Sequence, residues 1–308
     1  MIISKKMMSY TYRAKNGASI MRLEGVYINL ERSKERRHSI ERQLHDLGCE
    51  DWIKRFAAVD GSTRGPFVGV VENSVWACRQ SHTEAIADSD DSSALLILED
   101  DVEISRSFSK IANPATLSEF IARHPTCDIL FLDCCSFYAQ APFLLSLSEI
   151  QMKNRMRGDA SEEDRHALSG VSIIDARGIF AYCSACYVVT PKGKQTLRQL
   201  FSEEPDPGIA VDILYRDWIS SGRVMANLTV PFLATPSFRN VSTIPYEKLD
   251  YLPVGEREGL LANAIRRLLF AGDHRLDMTE MAALISDAEG SPEYELGMKL
   301  YQSCRAMA

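Results

Sequence analysis

The chain has 308 residues, and its 45% hydrophobic and 25% charged content is ordinary for a globular protein. Its 35 basic and 42 acidic residues leave a formal net charge of −7, which argues against a dedicated nucleic-acid-binding protein. No apolar run approaches the roughly 20 residues needed to cross a bilayer, and residues 1–23 lack the apolar core of a secretory signal. We therefore expect a cytoplasmic protein that binds no nucleic acid.

The chain begins with a polar segment and then a predicted strand and helix. We expect residues 1–22 to be a poorly ordered tail and residues 25–30 to form the first strand. A helix is predicted from about Ser33, with an apolar stripe at i, i+4 and i+7 and with Gly48 placed to end it. Arg32 lies in the turn between strand and helix, where phosphates bind readily, so it is a candidate phosphate ligand.

A second strand and a second helix follow. Residues 52–59 predict the strand, and residues 61–73 form a loop rich in turn signals. The helix is predicted over residues 74–87 and includes His82. This histidine is either part of a site or a helix residue with a satisfied hydrogen bond.

The most informative stretch is the aliphatic run of residues 95–98, which predicts a strand buried on both faces of a sheet. Glu99, Asp100 and Asp101 follow at its carboxyl end, where ligands collect in open α/β sheets. If the chain stays extended, Glu99 and Asp101 point the same way. Such oxygen ligands suit Mg²⁺ or Mn²⁺, and the alternative is a solvated loop with ordinary surface carboxylates.

The middle of the chain predicts further strands around a long excursion. Residues 127–133 read as a buried strand that ends in Asp133. Residues 136–170 have weak periodicity, and we interpret them as an excursion that forms a flap over a site. Residues 180–193 predict a strand and the start of a helix. Asp212 then lies between aliphatic residues, where burial without a partner would be costly.

The composition changes near Pro253, after a last predicted strand at residues 224–233. Helically spaced leucines indicate that residues 253–308 form a helical extension, which packs on the main domain or mediates self-association. Arg266 and Arg267 lie beside leucines in this extension, an arrangement that suits either a membrane surface or ordinary packing.

The cysteines give a weaker signal. The chain has eight, which we expect to be reduced in an intracellular protein. Cys183 and Cys186 have the CxxC spacing of zinc and redox sites, but no second pair completes a zinc set. We interpret them as structural.

Several segments, taken in order, resemble glycosyltransferase family 25, which includes bacterial lipooligosaccharide galactosyltransferases and collagen galactosyltransferase domains. The matching segments cover roughly residues 24–245. They are VYINLERSKERR at 26–37, AAVDG at 57–61, CRQSH at 78–82, LILEDDV at 96–102, DILFL at 128–132, YVVTPKG at 187–193, the Val211-Asp212 pair and residues 231–242. The segment at 78–82 departs from the family in having Ala77 where a glycine usually precedes the cysteine.

The resemblance implies a GT-A fold over residues 23–252, a Rossmann-like, mixed and mostly parallel sheet flanked by helices. It also implies an inverting, metal-dependent hexosyltransferase that moves galactose or glucose from a UDP-sugar. The acceptor would be a hydroxyl of a cell-surface glycan or lipid-linked saccharide, such as lipooligosaccharide. The enzyme would work at the inner face of the cell membrane without spanning it.

The resemblance also implies roles for particular residues. Glu99, Asp100 and Asp101 stand in for the aspartate-any-aspartate motif that holds Mn²⁺ or Mg²⁺, and Asp101 is the strongest candidate for direct metal contact. The residues expected to contact the donor nucleotide are Asn29, Arg32, Arg79, Ser81 and His82.

An inverting displacement needs a general base to take the acceptor's proton. Asp212 is the first candidate, because the family has an aspartate there and its apolar flanks raise a carboxyl pKa. Its alternative role is a buried, hydrogen-bonded carboxylate. Asp133 is the second candidate, although the family more often has glycine at that position.

Two other classes of function compete with this hypothesis. One is a non-catalytic binding or scaffold protein that keeps the fold. The other is a metal-dependent phosphohydrolase, which would call for a histidine-rich set that the six histidines do not form. Sugar-dependent release of UDP, binding without turnover, and phosphate release from simple esters would distinguish the three.

Overall fold

The structure is a computed structural model that describes residues 21–157, 171–237, 244 and 265–270. Its strands are β1 Leu23–Asn29, β2 Ile53–Ala57, β3 Ala94–Glu99, β4 Val102–Ile104, β5 Ile129–Phe131, β6 Cys135–Ser136, β7 Ser172–Asp175, β8 Phe180–Tyr182, β9 Cys186–Val189, β10 Ala226–Val230 and β11 Ala234–Pro236. Its helices are α1 Lys34–Asp46, α2 Val70–Asp88, α3 Phe108–Ile111, α4 Pro114–Arg123, α5 Ala141–Arg157, α6 Pro191–Glu203 and α7 Val211–Ser220. Residues 265–269 are also helical.

The central sheet has seven strands in the order β2-β1-β3-β9-β5-β10-β7. Strands β2, β1, β3, β5 and β10 run in one direction, whereas β9 and β7 run in the other. The α/β class and a mixed, mostly parallel sheet flanked by helices are therefore confirmed. The arrangement is compatible with a Rossmann-like fold.

Strand β3 lies inside this sheet and is buried on both faces, as predicted. Leu95 and Ile97 pack into a core cluster with α2, α6 and α7, whereas Leu96 and Leu98 pack into a second cluster with α1 and α4. All four side chains are 0% exposed. Burying an aliphatic side chain contributes roughly 1.5–3 kcal/mol, so this strand anchors both layers of helices.

The first three parallel strands end at the same edge of the sheet. Ile28 of β1 lies beside Glu99 of β3, and Asn29 lies beside Ala57 of β2. This register brings the turns that follow β1, β2 and β3 together.

The excursion predicted for residues 136–170 is wrong in its first half, because residues 141–157 form helix α5. The helix buries Leu144, Leu145 and Ser148 but exposes Phe143 and Ile150. Because apolar residues lie on its solvent side and a serine on its core side, the sequence of α5 lacks a clear helical period of apolar residues. The rest of the predicted excursion and flap, residues 158–170, lies outside the described part of the chain.

The structure refines two local predictions. The strand region predicted over residues 180–189 contains two strands, β8 and β9, because Cys183 between them has a φ of 87°. An L residue rarely adopts this left-handed conformation, and a strand cannot continue through it. The chain turns at Asp100 and Asp101, so the extended conformation that would point Glu99 and Asp101 the same way is not present.

The predicted tail at residues 1–22 lies almost wholly outside the described residues, as does most of the predicted extension at residues 253–308. The described segment at 265–269 is helical, and Ile265, Leu268 and Leu269 join the core cluster that contains α6 and α7. This part of the extension therefore packs on the main domain. No helix in the described ranges has the length and apolar character that a membrane span requires.

Candidate functional site

A cleft opens at the edge of the sheet where β1, β2 and β3 end. It is lined by residues after β1, residues after β2, one face of α2 and the turn after β3. The lining residues are Ile28, Leu30, Arg32, Arg36, Ala58, Val59, Gly61, Ser74, Ala77, Cys78, Ser81, His82, Glu99, Asp100, Asp101 and Ile244. Six of the predicted site residues thus come together, since Arg32, Ser81, His82 and the acidic triplet all lie here.

Two arginines bring positive charge to this cleft. Arg32 follows β1 and forms an ion pair with Asp60 in the loop after β2. Arg36, in the first turn of α1, places Nη1 3.1 Å from Asp100 Oδ1 and 3.3 Å from Asp101 Oδ2. In the sequence, Arg36 is distinguished only by its place on the basic face of the predicted helix.

Asn29 ends β1 beneath the cleft and is 1% exposed. Its Nδ2 donates to Asp100 Oδ2 at 2.6 Å and to the Ser33 carbonyl oxygen at 3.1 Å, while its Oδ1 accepts from Arg55 Nε at 2.9 Å. Every contact is with the protein, so Asn29 holds Asp100 and the β1–α1 turn in place. Its predicted contact with a nucleotide stays a prediction.

The acidic triplet divides into two parts. Asp100 and Asp101 face Arg36, whereas Glu99 faces His82 on α2. Burial raises the pKa of Asp100, and burial together with the charge of Glu99 raises the pKa of Asp101 to about 7. The cause is the crowding of three carboxylates in a partly desolvated turn.

Glu99 belongs to a second constellation. Its Oε1 accepts from Ser184 Oγ at 3.1 Å and lies 3.5 Å from His82 Nε2. Although burial opposes the effect, His82 and Ser184 hold the pKa of Glu99 below its usual value. The carboxylate is therefore ionised at neutral pH.

His82 is 1% exposed and starts a buried chain of hydroxyl groups. Its Nδ1 lies 2.8 Å from the Tyr187 hydroxyl, which lies 3.0 Å from the Tyr215 hydroxyl. Its Nε2 has no hydrogen-bond partner among the residues that the structure describes. Cys78 lies one helical turn earlier on α2, and its Sγ, a ring nitrogen of His82 and a Glu99 oxygen all lie within 4.8 Å of one another.

Ser81 and Arg79 are engaged within the protein. Ser81 Oγ donates to the Ala77 carbonyl oxygen at 2.7 Å and accepts from Val59 N at 2.9 Å, which fixes the chain after β2 against α2. Arg79 is not a lining residue of the cleft; its Nη1 donates to the Asp206 carbonyl oxygen at 2.5 Å. Its guanidinium also lies 5.9 Å from the centre of the Phe201 ring.

Asp133 is 0% exposed and bound by Arg266 from the C-terminal helical segment. Arg266 Nε donates to Asp133 Oδ1 at 3.2 Å, and Arg266 Nη2 donates to Oδ2. Burial opposes the charge of Arg266, but the attraction of Asp133 raises the pKa of Arg266 above its ordinary value. Burial raises the pKa of Asp133, while Arg266 lowers it, and the carboxylate is engaged in this ion pair. The predicted role of Asp133 as a general base stays a prediction.

Asp212 occupies the first turn of α7 and is partly exposed. Its Oδ2 accepts from Cys183 N at 3.0 Å, and its Oδ1 accepts from Ile213 N at 2.9 Å. Burial raises the pKa of Asp212, and the charge of Glu99 adds to the rise, while the backbone donors lower it. The residue is hydrogen-bonded, as one alternative held, and its raised pKa still suits a base.

Neither the protein-family models nor the curated proteins that were searched gave a match to this chain. The family resemblance therefore rests on the sequence segments themselves. Three residues that the sequence reasoning missed, Arg36, Cys78 and Arg266, contribute to the cleft or its support. The i, i+4 spacing of Cys78 and His82 could have indicated their shared helix face, whereas nothing local connects Arg266 with Asp133.

Proposed function

We propose that this protein is an inverting, metal-dependent glycosyltransferase with a GT-A fold, which transfers galactose or glucose from a UDP-sugar to a hydroxyl of a cell-surface glycan such as lipooligosaccharide. The observation that carries the proposal is the cleft at the aligned ends of β1, β2 and β3, where carboxylates and arginines meet. In open α/β sheets this edge is where nucleotides bind. The enzyme would act at the inner face of the cell membrane.

The positive side of the cleft suits a diphosphate. Arg32 lies just before the N-terminus of α1 and Arg36 lies in its first turn. A guanidinium group can donate two parallel hydrogen bonds to a phosphate, and a helix N-terminus attracts negative charge. Arg32 and Arg36 would bind the two phosphate groups after exchanging their present carboxylate partners.

The acidic side of the cleft fits a divalent cation by its charge and its donor atoms. Asp100 and Asp101 share Arg36, and Arg32 is already paired with Asp60, so the carboxylates in the turn outnumber the cations beside them. Asp100 and Asp101 offer hard oxygen ligands of the kind that Mn²⁺ and Mg²⁺ prefer. Such a cation would stabilise the charge that develops on the UDP leaving group.

Transfer with inversion breaks the bond between the anomeric carbon and the phosphate oxygen, and forms a bond from that carbon to the acceptor oxygen. The acceptor's proton goes to a base as UDP departs. We assign this role to Asp212, whose pKa is raised by burial. A carboxylate with a raised pKa is a stronger base at neutral pH, because an ordinary carboxylate accepts a proton only weakly.

The first test is calorimetry of UDP binding, with and without Mn²⁺, to the wild type and to Asp101→Ala. We expect Mn²⁺ to tighten UDP binding to the wild type and Asp101→Ala to remove that effect, because a cation ligand is lost. Asp51→Ala is the matched control, since Asp51 is an exposed carboxylate before β2, outside the cleft. It should behave as the wild type.

Folded wild-type protein that binds no UDP under either condition would contradict the proposal. If UDP binds, the next measurement is UDP release from UDP-galactose and UDP-glucose with lipooligosaccharide acceptors. Asp212→Asn should then lower kcat by about 10²–10⁴-fold and leave UDP binding intact, because only proton transfer is affected.

One observation favours the alternative of a non-catalytic binding module. Arg36 already contacts both Asp100 and Asp101, so these carboxylates have one shared counter-charge without a metal ion. In that case UDP would bind equally well with and without Mn²⁺, and no sugar nucleotide would be turned over.

A further inference from the structure

Cys78, His82 and Glu99 form a cluster in the wall of the cleft. The metal-binding role proposed for the acidic triplet does not account for this cluster. Cys78 and His82 are four positions apart on α2, which places both side chains on one face of the helix. Glu99 approaches that face from the end of β3. Among the described residues that could ligate a metal, these three have ligand atoms that converge within 4.8 Å.

His82 supplies an independent indication that the cluster is built for a ligand. The residue is 1% exposed, yet within the described part of the chain its Nε2 has no hydrogen-bond partner. An unmade hydrogen bond at a buried polar atom costs about 1–3 kcal/mol, so native proteins rarely keep one without a reason. This nitrogen lies 3.5 Å from Glu99 Oε1, in the cluster that includes Cys78, and a metal ion there would give it a partner.

We propose that Cys78, His82 and Glu99 bind a zinc ion, or a cation of similar chemistry, through one thiolate, one imidazole and one carboxylate. This goes beyond the proposed function, which places a hard Mn²⁺ or Mg²⁺ ion at Asp100 and Asp101. A thiolate and an imidazole together select a borderline metal such as Zn²⁺ and disfavour hard cations.

The distance between the nitrogen and oxygen ligands suits such a site. Zinc lies about 2.0–2.2 Å from nitrogen and oxygen ligands, so two of them at a tetrahedral angle are about 3.3–3.6 Å apart. His82 Nε2 and Glu99 Oε1 are separated by 3.5 Å, which matches that spacing and is long for a direct hydrogen bond.

The surroundings of the cluster also resemble the outer shell of a metal site. A ligating histidine usually donates its other ring N–H to an oxygen, which fixes the ring and its tautomer. His82 Nδ1 has the Tyr187 hydroxyl at 2.8 Å for this purpose, and Tyr215 supports that hydroxyl in turn. The carboxylate of Glu99 is likewise fixed by Ser184.

Three protein ligands leave the fourth position of a tetrahedral zinc ion for water or another ligand. Cys78 and Glu99 are both partly exposed and line the cleft, so this position faces the cleft. A ligand in the cleft could therefore reach the metal through an oxygen or nitrogen atom. Glu99 would then serve the zinc ion and not the cation at Asp100 and Asp101.

The test uses full-length protein stripped of metal with a chelator and titrated with Co²⁺ alone, followed by Zn²⁺. We expect one Co²⁺ per chain, with a thiolate-to-cobalt charge-transfer band and the visible bands of tetrahedral Co²⁺. Zn²⁺ should displace the Co²⁺, whereas an equal concentration of Mn²⁺ should not. Wild-type protein that is folded and shows no thiolate band would overturn the proposal.

Single variants locate the ion. Cys78→Ser should abolish the thiolate band, and His82→Gln should weaken Co²⁺ affinity by more than about 100-fold, since each removes a ligand. The matched controls are Cys49→Ser and His45→Gln, which remove a thiol and an imidazole outside the cluster. A thiolate band that survives Cys78→Ser would place the metal elsewhere and overturn the proposal.

Two further variants keep the test independent of folding defects and of the proposed function. Tyr187→Phe removes the hydroxyl that positions His82 but keeps the ring, so it should cost about 10–100-fold in Co²⁺ affinity with the tetrahedral bands retained. Asp101→Ala should keep the cobalt spectrum unchanged even if it abolishes Mn²⁺-dependent UDP binding. The zinc site and the donor site can therefore fail separately, and a lost cobalt spectrum in Asp101→Ala would contradict the zinc ligand set.

Discussion

At the residue scale, the pair of Asp133 and Arg266 shows how a buried charge is tolerated. Asp133 is 0% exposed, and the Arg266 side chain is 6% exposed. Removing two charges from water is expensive, so the pair persists because the guanidinium makes two hydrogen bonds to the carboxylate. The pair joins the segment at 265–269 to the end of the strand region around β5.

Breaking this pair from one side should be costly. Arg266→Met should lower the free energy of unfolding by about 3–5 kcal/mol, because it leaves the carboxylate of Asp133 buried without a counter-charge. The double variant Asp133→Leu/Arg266→Met should recover most of that loss. Urea denaturation of the single and double variants measures both effects.

An exposed ion pair provides the control for this cycle. Arg223 and Glu203 pair on the surface, with side chains that are 49% and 45% exposed. Arg223→Met should change stability by less than about 1 kcal/mol. If Arg266→Met were equally mild, the buried ion pair would not hold the helical segment to the domain.

At the element scale, helix α6 begins through local chemistry that the sequence displays. The Thr190 side chain accepts a hydrogen bond from Gly193 N at 2.9 Å, and Pro191 occupies the first turn. Both are standard features of a helix N-terminus. Gly193 has a second role, since a Cβ at this position would overlap the carbonyl oxygen of Asp128.

Gly193→Ala should therefore destabilise the protein by about 1–3 kcal/mol, although alanine is the better helix former. The added methyl group would push α6 away from the chain that leads into β5. Gln195→Ala, an exposed position on the same helix, should have almost no effect. Thermal unfolding of the two variants distinguishes the steric effect of the added methyl group from the effect of helix propensity. A Gly193→Ala variant as stable as the wild type would contradict the close approach of α6 to the Asp128 carbonyl oxygen.

The elements differ in how well the sequence predicted them. Strand β3 and helix α6 were predicted because their signals are local, namely a short aliphatic run and a capping sequence. Helix α5 was missed because Phe143 and Ile150 are exposed and blur its apolar stripe. The break between β8 and β9 depends on the conformation of Cys183, which hydrogen bonding to Asp212 stabilises.

At the scale of the whole molecule, one buried lysine should make stability depend on pH. Lys194 is 0% exposed, and its Nζ donates to the Asp90 carbonyl oxygen at 2.6 Å and to Ser93 Oγ at 2.9 Å. Burial lowers the pKa of Lys194 from 10.5 to about 8, and the charge of Arg198 also lowers it. The charges of Glu24, Asp90 and Asp91 oppose this shift.

Because the folded state releases this proton more readily than the unfolded state, the cost of burying the charged form disappears as the pH rises through about 8. The Lys194 contribution should raise the free energy of unfolding by about 2 kcal/mol between pH 7 and pH 9.5. Lys194→Met should lack this contribution, whereas Lys54→Met, at an exposed position, should retain it. Urea denaturation at the two pH values measures the difference. An identical pH dependence in the wild type and Lys194→Met would contradict the prediction.

The sequence by itself determined the succession of most strands and helices along the chain. It also determined the burial of β3 on both faces and the position of three carboxylates at its end. These features follow from periodicity, capping and turn residues, which act between neighbours in the chain. The tertiary structure alone decided which side chains meet. It separated Glu99 from Asp100 and Asp101, brought Glu99 to Cys78 and His82, and joined Arg266 to Asp133. Those contacts depend on strand order and helix packing, which no local pattern encodes.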